Sequence, residues 1–150
     1  MRTLLFLSLA LSSLAVADAT LNCDGAPNSV GSGAVLRWVG DFDPYEGALR
    51  VEGLPAGQAG MMLYSLGGDQ VPWGNGTLCL GGGPKWILAR AASDSAGELY
   101  LDLAADGDQD DLRWLEHNEQ LTWFFQYAYR DPAAGGTGFN TSSGLEVRFE

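Results

Sequence analysis

The sequence predicts an all-β protein, an antiparallel β-sandwich of immunoglobulin-like or jelly-roll-like type with about seven to eight short strands. Three observations carry this. The stretch Gln120–Pro132, QLTWFFQYAYRDP, alternates with period two. Shorter alternating segments recur along the chain between glycine-rich turns, and helical periodicity is almost absent.

In the first of these, Leu121, Trp123, Phe125, Tyr127 and Tyr129 take alternate positions, with Thr122, Gln126, Ala128 and Arg130 between them. Successive strand side chains point to opposite faces. The stretch is therefore expected to be the central strand, with an apolar face of core rings backed by a mostly polar one. Phe124 falls on the polar side and needs a cover or a partner. Asp131-Pro132 ends the strand by removing a backbone donor, and Gly135, Gly136 and Gly138 loosen the chain beyond it. Arg130-Asp131 reads as a structural ion pair or turn anchor.

Residues 1–19 read as an export leader. Arg2 supplies the basic start, Leu4 to Val16 is apolar with small polar interruptions, and Ala17-Asp18-Ala19 offers an A-x-A cleavage site before Thr20. The apolar run is too short and interrupted to span a bilayer, and no later segment is long enough, so no membrane insertion is expected. Thr20-Leu21-Asn22 lacks the small residue that precedes an acylated cysteine. The expectation is a secreted protein, extracellular or at the cell surface, with residues 20–150 forming one domain.

Loss of the leader removes Arg2 and Asp18, so the net charge of −11 is retained. Such a surface repels phosphate backbones and anionic lipid, which argues against nucleic acid as a partner. The two cysteines, Cys23 and Cys79, lie beyond the leader. An even count in an exported chain suggests a disulfide, and with one pair its connectivity is forced. Closing that loop would restrict the unfolded chain by roughly 4 kcal/mol on the entropy model. A cytoplasmic chain would leave both thiols free.

The remaining elements follow in order. Residues 20–32 are rich in turn formers and read as an irregular lead-in. Ala34–Val39 is a strand with ambiguous faces, and Ala48–Leu54 is half-buried, with Leu49 and Val51 inward. Met61–Leu66 is a third strand, and Gly67-Gly68-Asp69 a hairpin-like turn. Val71–Gly83, VPWGNGTLCLGGG, suggests tight turns and close backbone approach around Cys79. Lys85–Ala92 and Glu98–Ala104 are strands, the second facing inward through Leu99, Leu101 and Leu103. Asp106–Asn118 is an acidic connection with a helical turn near Leu112–Glu116. Gly144–Glu150 is a terminal strand with Leu145, Val147 and Phe149 inward.

Several spaced pieces carry a resemblance. They are Cys23 followed by Pro27-Asn28-Ser29 and Gly31; Val71-Pro72-Trp73-Gly74-Asn75-Gly76 leading to Leu78-Cys79-Leu80-Gly81-Gly82; Tyr129-Arg130-Asp131; and Gly138-Phe139-Asn140 with Ser143-Gly144-Leu145. In that order they resemble a functionally uncharacterised terminal module of large secreted proteins in planctomycetes and related bacteria. The resemblance covers nearly the whole chain beyond the leader. It implies an extracellular β-rich module and a Cys23–Cys79 pair, and it assigns no activity. The chain departs from that pattern in placing the module alone behind a leader.

Candidate chemistry is sparse. Asp106, Asp108, Asp110 and Asp111 in DGDQDD resemble the start of a calcium loop, because a hard cation wants several oxygens at about 2.3–2.6 Å. Asp111 stands where such a loop needs glycine, and His117 where it needs a bidentate glutamate, so a solvated acidic loop is the competing reading. Asp41, Asp43 and Glu46 form a weaker acidic cluster. His117 is the lone histidine, has no nucleophile motif beside it and reads as surface. One histidine and two paired cysteines also make zinc a poor fit. Asn75-Gly76-Thr77 and Asn140-Thr141-Ser142 are formal glycosylation sequons, which the bacterial origin implied by the resemblance would make mostly coincidental.

Binding has more support. Trp73, Trp114 and Phe139 fall in presumed loops, where rings stack on sugars or anchor protein contacts, although each could equally cover an edge of the sandwich. The sequence therefore favours a noncatalytic exported module for binding or surface structure, with a glycan or a cell-envelope protein as partner and calcium as a candidate ion. The alternative is a secreted hydrolase using loop carboxylates. The two differ in whether acidic side chains gather in a pocket.

Overall fold

The computed structural model describes residues 18–149. Ten strands, β1 to β10, occur among them, all paired antiparallel. Five form a large sheet in the order β1 (Asp18–Cys23), β10 (Phe139–Arg148), β9 (Thr122–Arg130), β4 (Ala59–Ser65) and β7 (Trp86–Ala92). A second sheet has the order β2 (Val35–Gly40), β3 (Gly47–Glu52) and β8 (Leu99–Asp102). A hairpin of β5 (Gly67–Trp73) and β6 (Gly76–Gly81) makes a third layer. The protein is an antiparallel β-sandwich with one disulfide, Cys23–Cys79.

The aromatic stretch takes the centre of the large sheet. Trp123, Phe125, Tyr127 and Tyr129 are buried in the main core. From the opposing sheet, Leu36, Leu49, Val51, Leu99 and Leu101 meet them. Full burial of one such ring is worth about 1.5–3 kcal/mol, which makes this interface the main source of stability. The row Leu145 and Val147 lies beside β9 in the same sheet, paired with Phe125 and Trp123, rather than across from it. Leu121 precedes the strand and is exposed.

The two sheets are stitched together at a bulge. Thr141 pairs with Ala128 and Gly144 with Gln126, so Ser142 and Ser143 both stand opposite Tyr127. The Tyr127 amide donates to the Ser142 hydroxyl at 3.0 Å. The Leu36 amide donates to the Ser143 hydroxyl at 2.9 Å, and the Ser143 amide to the Ala34 carbonyl at 2.8 Å. The extra residue thus supplies the polar groups that bind the start of β2.

Several expectations need correcting. The first four residues of the lead-in, Thr20–Cys23, complete β1, because the strand pairs with β10 between Asp18↔Arg148 and Cys23↔Gly144, while residues 24–32 are irregular apart from an Asn28–Gly31 bridge. Residues 1–17 of the expected leader lie outside the described residues, while Asp18 and Ala19 belong to β1. Gly67-Gly68-Asp69 is not a turn; it opens β5, where Gly67 pairs with Gly81 and Gly68 with Leu80. The acidic connection is largely helical, with α1 at Leu103–Asp106 and α2 at Gln109–His117. Leu112 and Leu115, three positions apart, lie on the buried face of α2 and enter the core.

Candidate functional site

The two faces of the large sheet meet different covers. On its outer face the hairpin packs Leu78 and Leu80 against Leu63, Ile87, Phe124 and Ala128, which gives Phe124 the cover it needs. Gln126, expected on a polar face, is fully buried beneath the hairpin. Its side-chain carbonyl accepts from the Cys79 amide at 2.9 Å. Its side-chain amide donates to the Thr77 and Ser142 carbonyls, each at 2.8 Å. A buried amide is tolerated when its partners are supplied. Here β6 and β10 supply them.

Thr141 adds to this attachment by donating its hydroxyl to the Thr77 carbonyl at 2.9 Å. The Cys23–Cys79 bond, with Cα atoms 6.2 Å apart, joins the middle of β6 to the end of β1. The hairpin is thereby fixed on the sheet. Its turn, Trp73-Gly74-Asn75-Gly76, is fixed separately.

Asn75 reaches across to the loop before β10. Its side-chain amide donates to the Gly135 carbonyl at 2.8 Å, and its side-chain carbonyl accepts from the Thr137 amide at 3.0 Å. The Asn75 amide donates to the Phe139 carbonyl at 3.0 Å. Gly74 has φ +65°, and a Cβ there would run into the Phe139 ring. A left-handed glycine therefore lets the two segments close up. The result sets Trp73 and Phe139 edge to face, with ring centroids 5.0 Å apart at 69°.

Beyond the hairpin turn the outer face is uncovered, and a groove of about 590 Å³ opens there. Ala59, Gly60, Met61 and Ala128 form its floor, Trp73, Thr137 and Phe139 one rim, and Arg90 and Arg130 also line it. Strand register explains this gathering. Arg90 pairs with Met61, Met61 with Ala128, and Arg130 with Phe139. Directly paired residues share a face, and Arg130 shares that of Ala128 two positions before it. Gly60 is bare because a Cβ would strike the Tyr127 ring on the inner side.

Charge is distributed unevenly around the groove. Arg37, Arg50, Arg113 and Arg148 are each paired with a carboxylate at 2.9–3.4 Å. Arg90 and Arg130 are exposed and form no ion pair among the described residues. The residues lining the groove include no aspartate, glutamate, histidine or cysteine.

The structure brings together two of the three aromatic residues expected to bind, Trp73 and Phe139. Trp114 lies elsewhere. It sits on α2, edge-on to Trp86 at 4.9 Å and to Trp123 at 5.0 Å, as part of an aromatic cluster that also includes Tyr64. Its ring covers the sandwich edge, leaving it 37% exposed.

The acidic stretch is occupied in building helices. The Asp106 carboxylate accepts from the Asp102 amide at 3.0 Å. Asp108 caps α2 by accepting from the amides of Asp110 and Asp111. N-cap aspartate satisfies donors that a helix start leaves free. Asp110 points to Arg113 at 3.4 Å. Asp111 lies near the buried Tyr64 hydroxyl, and burial raises its carboxyl above the ordinary value. Among the described residues no three carboxylate, histidine or cysteine side chains converge as a metal would require. The weaker cluster is a turn, in which Asp43 accepts from the Tyr45 amide at 2.7 Å.

The other singled-out residues are structural. The His117 Nδ1 lies 3.0 Å from the Arg113 carbonyl at the exposed end of α2. Asp131 is a turn anchor, fully buried and accepting from the Ser29 amide at 3.0 Å, and it forms no ion pair with Arg130. Asn140 is buried and donates to the Pro27 carbonyl at 2.9 Å. Sequence reasoning missed Ala59, Gly60, Met61, Arg90 and Ala128 as groove residues. Their gathering depends on which strands are neighbours, and no local pattern carries that.

Fold and groove together define an antiparallel β-sandwich with a hairpin fastened across part of one sheet and an open, aromatic-rimmed groove beside it. No family model, curated protein or solved structure matches the chain.

Proposed function

We propose that this protein is a noncatalytic binding module that works outside the cytoplasm and holds a glycan in the Trp73–Phe139 groove. One observation carries the reading. Two rings from distant parts of the chain are locked edge to face at 5.0 Å on the rim of an open groove whose apolar floor is made of Ala59, Gly60, Ala128 and the longer Met61. A sugar ring presents apolar C–H faces, and an aromatic ring held rigid stacks on them at little cost in conformational entropy. The floor residues Ala59, Gly60 and Ala128 leave room for such a ring to lie flat.

The Cys23–Cys79 bond supports an oxidising location, as does the resemblance to the secreted planctomycete module. A hydrolase of the two-carboxylate kind needs acids beside the bound sugar. The groove supplies none from the described residues, so the binding reading is preferred. The test is a screen of the oxidised protein against immobilised oligosaccharides, followed by titration calorimetry on any hit with the wild type and Trp73→Ala. Binding that weakens about tenfold or more in Trp73→Ala, under conditions where an unfolding curve shows the variant still folded, is the expected result. Absence of any hit, or equal affinity in the variant, would overturn the assignment.

A further inference from the structure

We infer that the groove takes an anionic glycan, an oligosaccharide bearing carboxylate or sulfate groups that Arg90 and Arg130 receive while its sugar faces rest on Trp73. This rests on the glycan-binding reading above and adds the charge of the ligand to it. The first ground is the use of basic residues in this chain. With 8 lysines and arginines against 19 aspartates and glutamates, a nearby carboxylate is easily found, and four arginines have one. Among the described residues the two arginines that do not are both on the groove, and the remaining unpaired base, Lys85, donates to the Gly83 carbonyl away from it.

The second ground is placement. Arg90 stands on β7 opposite Met61, and Arg130 ends β9 opposite Phe139. Two strand spacings and two residues separate them, which puts their Cα atoms on the order of 12 Å apart. They therefore flank the apolar floor of Met61 and Ala128 instead of forming one point of charge. A chain of sugars carrying repeated anionic groups can meet both, with a ring over the apolar floor between them. Guanidinium matches carboxylate and sulfate oxygens with two parallel N–H donors, so the geometry selects oxyanions.

The third ground is contrast. No acidic side chain lines the groove, so neither arginine is neutralised there, while the chain as a whole carries a net charge of −11. An anion approaching elsewhere is repelled. The groove offers an aromatic ring beside cations that no carboxylate neutralises, whereas Arg37, beside Trp38 and Phe42, is paired with Glu52, and that combination discriminates an acidic glycan from a neutral one.

The experiment compares four probes of similar length by calorimetry: oligogalacturonate, a sulfated oligosaccharide, a neutral oligosaccharide and oligoglutamate. Each is run on the wild type, Arg90→Ala, Arg130→Ala and Trp73→Ala. Both arginines are exposed, so their removal leaves the fold intact, which an unfolding curve checks. The expected result is that oligogalacturonate or the sulfated probe binds at least tenfold more tightly than the neutral one. Each arginine variant then loses about tenfold, the scale of a charge-assisted hydrogen bond. Whichever anionic probe wins identifies the group. Equal affinity for the neutral probe, or arginine variants that bind like the wild type, would overturn the anionic inference and leave the glycan reading standing. Binding of oligoglutamate alone, or of no probe, would overturn both.

Discussion

The inner and outer faces of the large sheet solve the same problem, covering a strand surface, by opposite means. Inside, Trp123, Phe125, Tyr127 and Tyr129 are closed off by a second sheet and mate through apolar contact. Outside, a hairpin covers only part of the area and is held by a buried amide, a disulfide and the Asn75 latch. The first arrangement gives stability and leaves no room. The second leaves a surface open beside a rigid edge, which is what a binding site needs. Bulk burial and directed polar contacts thus divide the work between fold and site.

The comparison is broken most sharply by truncating one residue on each face. Trp123→Ala removes a fully buried ring from the inner core and is expected to cost about 3–5 kcal/mol. Met61→Ala, on the half-buried groove floor, should cost no more than about 1 kcal/mol. Urea unfolding measures both. Equal costs would mean that the groove floor is as much core as the inner face.

The outer face has its own critical contact. Gln126→Leu is close in volume but takes the Gln126 side chain from the Cys79 amide and the Ser142 carbonyl, while the Thr77 carbonyl keeps the Thr141 hydroxyl. About 3 kcal/mol of lost stability is expected from stranding such buried groups. Amide exchange at Cys79 should accelerate while that at Phe125, on the inner-facing side, follows only the global loss. A neutral substitution would show that the disulfide and the leucines alone hold the hairpin.

These faces also differ in how far the sequence reveals them. The inner rings were legible because period two and apolarity coincide at Trp123, Phe125, Tyr127 and Tyr129. Gln126 was not, since the same alternation assigns a polar residue to solvent, and its cover arrives from a hairpin distant in the chain. Trp73 and Phe139 stood out as aromatics among glycines, yet their meeting depends on Asn75, whose role no spacing announces. DGDQDD was ambiguous for a physical reason: aspartate suits both a hard cation and a helix N-cap. The Leu112 and Leu115 pair was the signal for the helix, too short to outweigh the acidic run around it.

The smallest effects test whether polar groups on the inner face are as well provided for as Gln126 is outside. Tyr127 donates its hydroxyl to the Ala91 carbonyl at 2.8 Å, whereas the buried Tyr64 hydroxyl has no partner within hydrogen-bond distance. Tyr127→Phe should therefore cost about 1 kcal/mol, and Tyr64→Phe should be neutral or stabilising by up to about 1 kcal/mol. Asp111 lies near that hydroxyl. Burial, ahead of repulsion from Asp108 and Asp110, raises its carboxyl, even though the nearby Tyr64 hydroxyl pulls the other way. A folded-state value above the unfolded one means that stability is fully present below the unfolded pKa and is lost as pH rises through the folded one. Asp111→Asn abolishes that loss, so its advantage over the wild type should appear as pH rises from about 4 toward neutrality and then level off. Because Asp111 is only half-buried and water screens it, the gain should stay below about 1 kcal/mol. Parallel stability curves for the two proteins across that range would show that ionised Asp111 costs the fold nothing.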